Sequence, residues 1–167
     1  MSEKQSPAAF ITKLFETHLK VKNLERSMQF YGEVLGLELA LKEDTRRTAF
    51  YWLGERRNTM LGIWENPPWS SAEPSGNPIV VQHIAFETAF DDLSGAIGNL
   101  KERGILLRNF FDEVTDEPSV FGWIPAASIY FNDPDGHLLE FIAKLSGEAK
   151  PEIGVVSLGE WNARVGK

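Results

Sequence analysis

The chain has 167 residues, a formal net charge of −7 and no cysteine. That length suits one domain or two small halves sharing a core, and the missing thiols exclude disulfides, a thiolate nucleophile and thiolate metal ligands. The acidic balance argues against nucleic acid as a partner, although Arg46-Arg47 and Arg56-Arg57 could hold a small anion; the opening MSEKQSPAAF lacks a secretory core, and no apolar run nears the roughly 20 residues that span a bilayer, so a cytoplasmic protein without membrane attachment is expected.

Residues 1–13 read as an N-terminal extension. Phe15 to Val21 then has the pattern of a strand, with His18 inside it. Asn23 caps a helix carrying Leu24, Met28, Tyr31 and Leu35, and Gly36 ends it. Strand-like runs follow at Leu37 to Lys42, Thr48 to Leu53 and Thr59 to Trp64, the last two separated by the polar turn Gly54-Glu55-Arg56-Arg57-Asn58. The order is β-α-β-β-β.

After a loop from Asn66 to Pro78 the same order restarts. Ile79 to Phe86 is a strand with His83 inside it, Leu93, Ile97 and Leu100 mark a helix that stops at Gly104, and Ile105 to Arg108, Ala127 to Phe131 and Leu138 to Ile142 complete the set. A second long loop, Phe111 to Pro125, lies among them; both long loops are candidate lids or, equally, disordered excursions. Repeat one therefore covers 14–65 and repeat two 79–145, within a domain of 14–145. In the polar tail, 146–167, Ser157 and Glu160 have capping-box spacing ahead of Trp161 and Val165, which predicts a short helix packing on the domain or on a second subunit, so a homodimer is allowed.

Two such units bury their sheets by packing together, which predicts an α+β fold: two βαβββ repeats forming a cupped open barrel with helices outside. In the first strand Leu19 and Val21 point to the helix and His18 points the other way; His83 opposes Ile84 and Phe86, and Glu140 opposes Leu139 and Phe141. A lone histidine in a strand is more often a hydrogen-bonded residue than a ligand. Matching positions in two repeats make a pair of them. Two imidazoles and one carboxylate form the facial triad that holds a divalent metal with coordination positions left open, so His18, His83 and Glu140 are the candidate ligands. His137, Asp133 and Asp135 are instead turn residues, with His137 solvent-facing or stabilising the turn. Most aromatic residues are core, and Trp64 is the one assigned to a substrate.

The strings HLKVKNLERSMQFYGEVLGLEL, HIAFE and NDPDGHLLEF resemble the vicinal-oxygen-chelate superfamily, which includes glyoxalase I, fosfomycin-resistance enzymes, extradiol dioxygenases and bleomycin-resistance proteins. The resemblance implies that His18, His83 and Glu140 bind one divalent ion, Zn, Ni, Mn, Fe or Co. It also implies lyase or isomerase chemistry of the glyoxalase type on a small molecule that chelates the ion through vicinal oxygens, with Glu140 catalytic; Glu65 and a metal-bound water are rival bases. Glyoxalase I enzymes supply a fourth ligand, a Glu, from the last strand of the first unit. Here that strand is TMLGIWEN and puts Gly62 or Trp64 at the place. The alternatives are an extradiol dioxygenase or a non-catalytic small-molecule or drug-binding protein of the bleomycin-resistance type.

Overall fold

The computed structural model describes residues 13–56, 58–67 and 79–166. The chain divides into two compact units, Met1–Asn77 and Pro78–Lys167. Arg57 and most of the loop from Asn66 to Pro78 lie outside the described residues, as does nearly all of the N-terminal extension.

In the first unit β1 (Glu16–Lys20) leads into α1 (Leu24–Gln29), and β2 (Glu38–Glu43), β3 (Thr48–Leu53) and β4 (Thr59–Trp64) follow. The Asn23 side chain accepts from the Arg26 N–H at 2.8 Å, as its capping role requires. A π-helical turn, Phe30–Val34, continues α1, and the Leu35 N–H donates to the Phe30 carbonyl at 3.0 Å. Each such turn takes up an extra residue, so the apolar stripe shifts. Leu24, Phe30 and Tyr31 are buried, whereas Met28 and Leu35, predicted on the same stripe, are half-buried. The sheet order is β1-β4-β3-β2, with β1 parallel to β4 and the other pairs antiparallel.

The second unit repeats this plan with β5 (His83–Glu87), α2 (Phe90–Glu102), β6 (Ser119–Phe121), β7 (Ala126–Asn132) and β8 (Leu138–Lys144), and with β9 (Val155–Ser157) added the order is β5-β8-β7-β6-β9. Again the first and last strands of the repeat, β5 and β8, run parallel. The edge strand β9 (Val155–Ser157) comes from the tail and pairs with β6, and α3 (Leu158–Val165) follows it with Ser157 Oγ accepting from the Glu160 N–H at 3.2 Å. Trp161 of α3 is buried.

Three predicted boundaries move. β5 begins at His83, so that histidine opens its strand instead of sitting inside it. Ile105 to Arg108 is not a strand: Arg108 alone forms bridges, to Val114 and Tyr130. The second strand of the repeat is β6, inside the stretch read as a loop. The two-repeat α+β plan itself holds. Among the described residues no helix is long and apolar enough to cross a membrane.

Candidate metal centre

Glu140 reaches its place through the turn before β8. Asp133 Oδ1 accepts the backbone N–H groups of Asp135 and His137, each at 2.9 Å, and Gly136 at φ 91° allows the chain to reverse. The His137 side chain is wholly buried, and its Nδ1 accepts the Gln82 N–H at 3.1 Å. The turn-stabilising role is therefore the one observed, and the solvent-facing one is not. Leu138 N–H also donates to the Gln82 carbonyl, at 2.9 Å, so the turn that delivers Glu140 is tied to the residue preceding His83.

Between β5 and β7, Glu140 lies opposite Ala85 on one side and Tyr130 on the other. Directly opposed residues share a face, and His83, two residues before Ala85, lies on the same face. Glu140 is only 4% exposed. Its Oε2 stands 2.9 Å from His83 Nε2, while its Oε1 is buried with no hydrogen-bond partner among the described residues. An unsatisfied buried polar group costs about 1–3 kcal/mol, more if charged, and such cost is concentrated where a group has another task. Two donors bound to one ion at about 2.1 Å and at right angles lie about 3.0 Å apart. The nitrogen-and-oxygen pair, with one carboxylate oxygen unused, fits a divalent cation.

Burial first, and then the Glu140 charge, hold the Tyr130 phenol well above its ordinary range. It keeps its proton and can act as a hydrogen-bond donor. Tyr130 and His83 line a cavity of about 430 Å³ in this unit, together with Leu138 and Asn132. Sequence reading did not single out Tyr130, although the alternation in AASIYFN puts Tyr130 and Ser128 on one face and Ala127, Ile129 and Phe131 on the other.

The first unit fills the matching place differently. His18 pairs with Gly62 across the parallel strands, as His83 pairs with Leu138. Two residues beyond each partner stand Trp64 and Glu140, so Trp64, not Gly62, is the counterpart of Glu140. Trp64 Nε1 donates to His18 Nδ1 at 2.9 Å. An indole N–H only donates, so Nδ1 is the acceptor and the neutral ring carries its proton on Nε2, which faces Glu16 Oε1 at 3.3 Å. Gly62 makes room for this ring: a Cβ there would fall 2.4 Å from His18 Nδ1. Phe50 and Trp64 pack around the imidazole with ring centroids 5.8 and 6.0 Å from it.

The rival base Glu65 is committed elsewhere, since its Oε2 accepts the Leu24 N–H at 2.8 Å and pairs with Arg47 at 2.5 Å. Arg47 is also held by Glu25 and Arg56 by Glu38, while Arg57, the other half of the second arginine pair, lies outside the described residues. Among the described residues no group of three His, Asp or Glu side chains is gathered as a metal site; the second repeat brings His83 and Glu140 together, and the first sets His18 against Trp64.

A β-α-β-β-β unit present twice, with a histidine on the first strand of each copy and a carboxylate on the last strand of one, defines a paired-repeat α+β protein. Residues 13–141 match the family described as Glyoxalase/Bleomycin resistance protein/Dioxygenase superfamily, and the chain belongs to that superfamily. A lactoylglutathione lyase of Neisseria meningitidis serogroup A is 32% identical over 142 residues, covering 81% of this chain and 94% of that protein. The metallothiol transferase FosB of Staphylococcus haemolyticus is 30% identical over 127 residues, covering 72% and 75%. A solved integron cassette protein, HFX_CASS4, from the mobile metagenome of the Halifax Harbour sewage outfall superposes with a TM-score of 0.63 at 34% identity, over 80% of this chain and 99% of that one.

Proposed function

We propose that the protein is a divalent-metal-dependent enzyme of the glyoxalase type, performing lyase or isomerase chemistry on a small molecule that presents two vicinal oxygens, with His18, His83 and Glu140 as ligands. The observation that carries this reading is the buried Glu140 carboxylate, 2.9 Å from His83 Nε2 and with Oε1 lacking any partner among the described residues. When bound, the ion would supply Lewis acidity to two adjacent substrate oxygens.

The chain's own residues set the remaining terms. Of the carboxylates considered, Glu140 is the one left to take a substrate proton after partial release from the ion, because Glu65 is spent on Leu24 and Arg47. Tyr130, kept protonated, can donate a hydrogen bond to a substrate oxygen but cannot serve as a base. His18 joins the ligand set only by giving up the Trp64 bond, since a ring that accepts at Nδ1 has its proton on Nε2. Trp64 then contributes an apolar, planar wall. Its occupation of the Glu140-equivalent place leaves three protein ligands, which sets this site apart from a four-ligand lactoylglutathione lyase and favours a different substrate.

Elemental analysis of protein purified without chelator or metal-binding tag tests the reading. We expect close to one divalent ion per chain and a sharp fall in Glu140→Ala; unchanged occupancy in that variant would remove Glu140 from the ligand set.

A further inference from the structure

The cavity beside His83 holds a charged group that the proposed chemistry leaves unused. Arg108 forms an antiparallel bridge with Tyr130, exchanging two backbone hydrogen bonds of 2.9 Å with it, and Tyr130 lies directly opposite Glu140. Opposed residues point to the same face, so Arg108, Tyr130 and Glu140 form one row across the sheet, with His83 beside its end. Two strand spacings, about 10 Å at backbone level, separate Arg108 from Glu140. Both Arg108 and His83 line the cavity of about 430 Å³.

The Arg108 side chain is held from one end only. Its Nη1 donates to the Asp112 carbonyl at 2.8 Å and lies 3.3 Å from the Asp112 carboxylate, whose side chain is 85% exposed. The Nε and Nη2 groups have no partner among the described residues. That leaves the parallel N–H edge of the guanidinium, the one whose spacing matches two oxygens of a carboxylate. Asp112 adopts φ 63°, so the segment after Arg108 bends back and brings its carbonyl to Nη1, and Arg108 and Asp112 both line the cavity.

We infer that Arg108 is the anchor for a second, distal carboxylate of the substrate, which makes the substrate class a 2-oxo or 2-hydroxy acid with a carboxylate at its far end. The chelating head of this class rests on the metal reading given above; the distal subsite does not. Asp112 lines the same cavity and keeps Nη1, so its carboxylate repels an incoming anion without blocking the Nε–Nη2 edge that receives the distal carboxylate.

Calorimetric titration with 2-oxoglutarate and with 2-oxopentanoate, which has the same carbon chain and chelating head but no distal carboxylate, tests this on metal-loaded and metal-free protein. The dicarboxylate should bind the metal-loaded wild type about tenfold or more tightly than the monoacid, as a charge-assisted bidentate pair allows. In Arg108→Met the two acids should bind alike, with the monoacid unchanged from wild type. In Asp112→Asn, where an asparagine tolerates the same positive φ, the preference for the dicarboxylate should grow several-fold. Equal binding of the two acids by wild type, binding of neither, or a preference that survives Arg108→Met overturns the proposal. Should Arg108→Met fail to fold, an unchanged ratio in Asp112→Asn does the same. Loss of all metal dependence while the dicarboxylate preference persists would count against the metal reading and leave the subsite standing.

Discussion

In the first repeat Trp64 Nε1 donates to His18 Nδ1, and in the second Glu140 Oε2 faces His83 Nε2, each at 2.9 Å and from the same register position. One scaffold thus holds two histidines by the same strand geometry and gives them opposite neighbours. The Trp64 indole is a neutral donor that consumes a lone pair of its histidine. The Glu140 carboxylate is an acceptor that leaves one buried oxygen unsatisfied. The first histidine has its Nδ1 lone pair engaged, whereas the second pair includes a buried carboxylate oxygen without a partner among the described residues, whose cost a bound cation would offset. At this place in the ladder the two repeats differ by a single side chain, Trp64 against Glu140.

The sharpest way to break this contrast is Glu140→Leu. If the buried carboxylate is kept for a cation, its removal should stabilise the metal-free protein by about 1–3 kcal/mol while abolishing metal-induced stabilisation. Melting curves with and without metal read both effects. A destabilised metal-free variant would mean that Glu140 serves the fold. In the first repeat the histidine pair is perturbed through its strand partner by Gly62→Ala, whose Cβ would meet the His18 ring. We expect it to displace the ring, break the Trp64 bond and cost about 1 kcal/mol, with the change visible in tryptophan emission. Unaltered emission and melting temperature would show that the first pair is not held as described.

Much of this plan is legible in the sequence because the first repeat is punctuated locally. β3 and β4 coincide with the apolar runs, since the polar turn around Gly54 fixes where each must end. The second repeat is less legible because its partners are distant. Ser119–Phe121 is too short to signal a strand, and it becomes one by pairing with β7 on one side and with β9 from the tail on the other. Burial of His137 depends on the Gln82 N–H, 55 residues away in sequence. The choice between Gly62 and Trp64 likewise needs the parallel register, which alternation alone does not set. Parity did suffice to orient Glu140 away from Leu139 and Phe141, and the same reasoning applied to β7 would have found Tyr130.

The central claim, that the repeats share a geometry but only the Glu140 side carries a carboxylate ligand, is tested most directly by titrating divalent metal into demetallated Glu140→Gln and Trp64→Phe side by side. Glu140→Gln should bind at least about tenfold more weakly than wild type, while Trp64→Phe, which frees His18 Nδ1 to carry the proton, should bind as tightly as wild type or a few-fold more so. Equal losses in both variants, or no loss in Glu140→Gln, would contradict it.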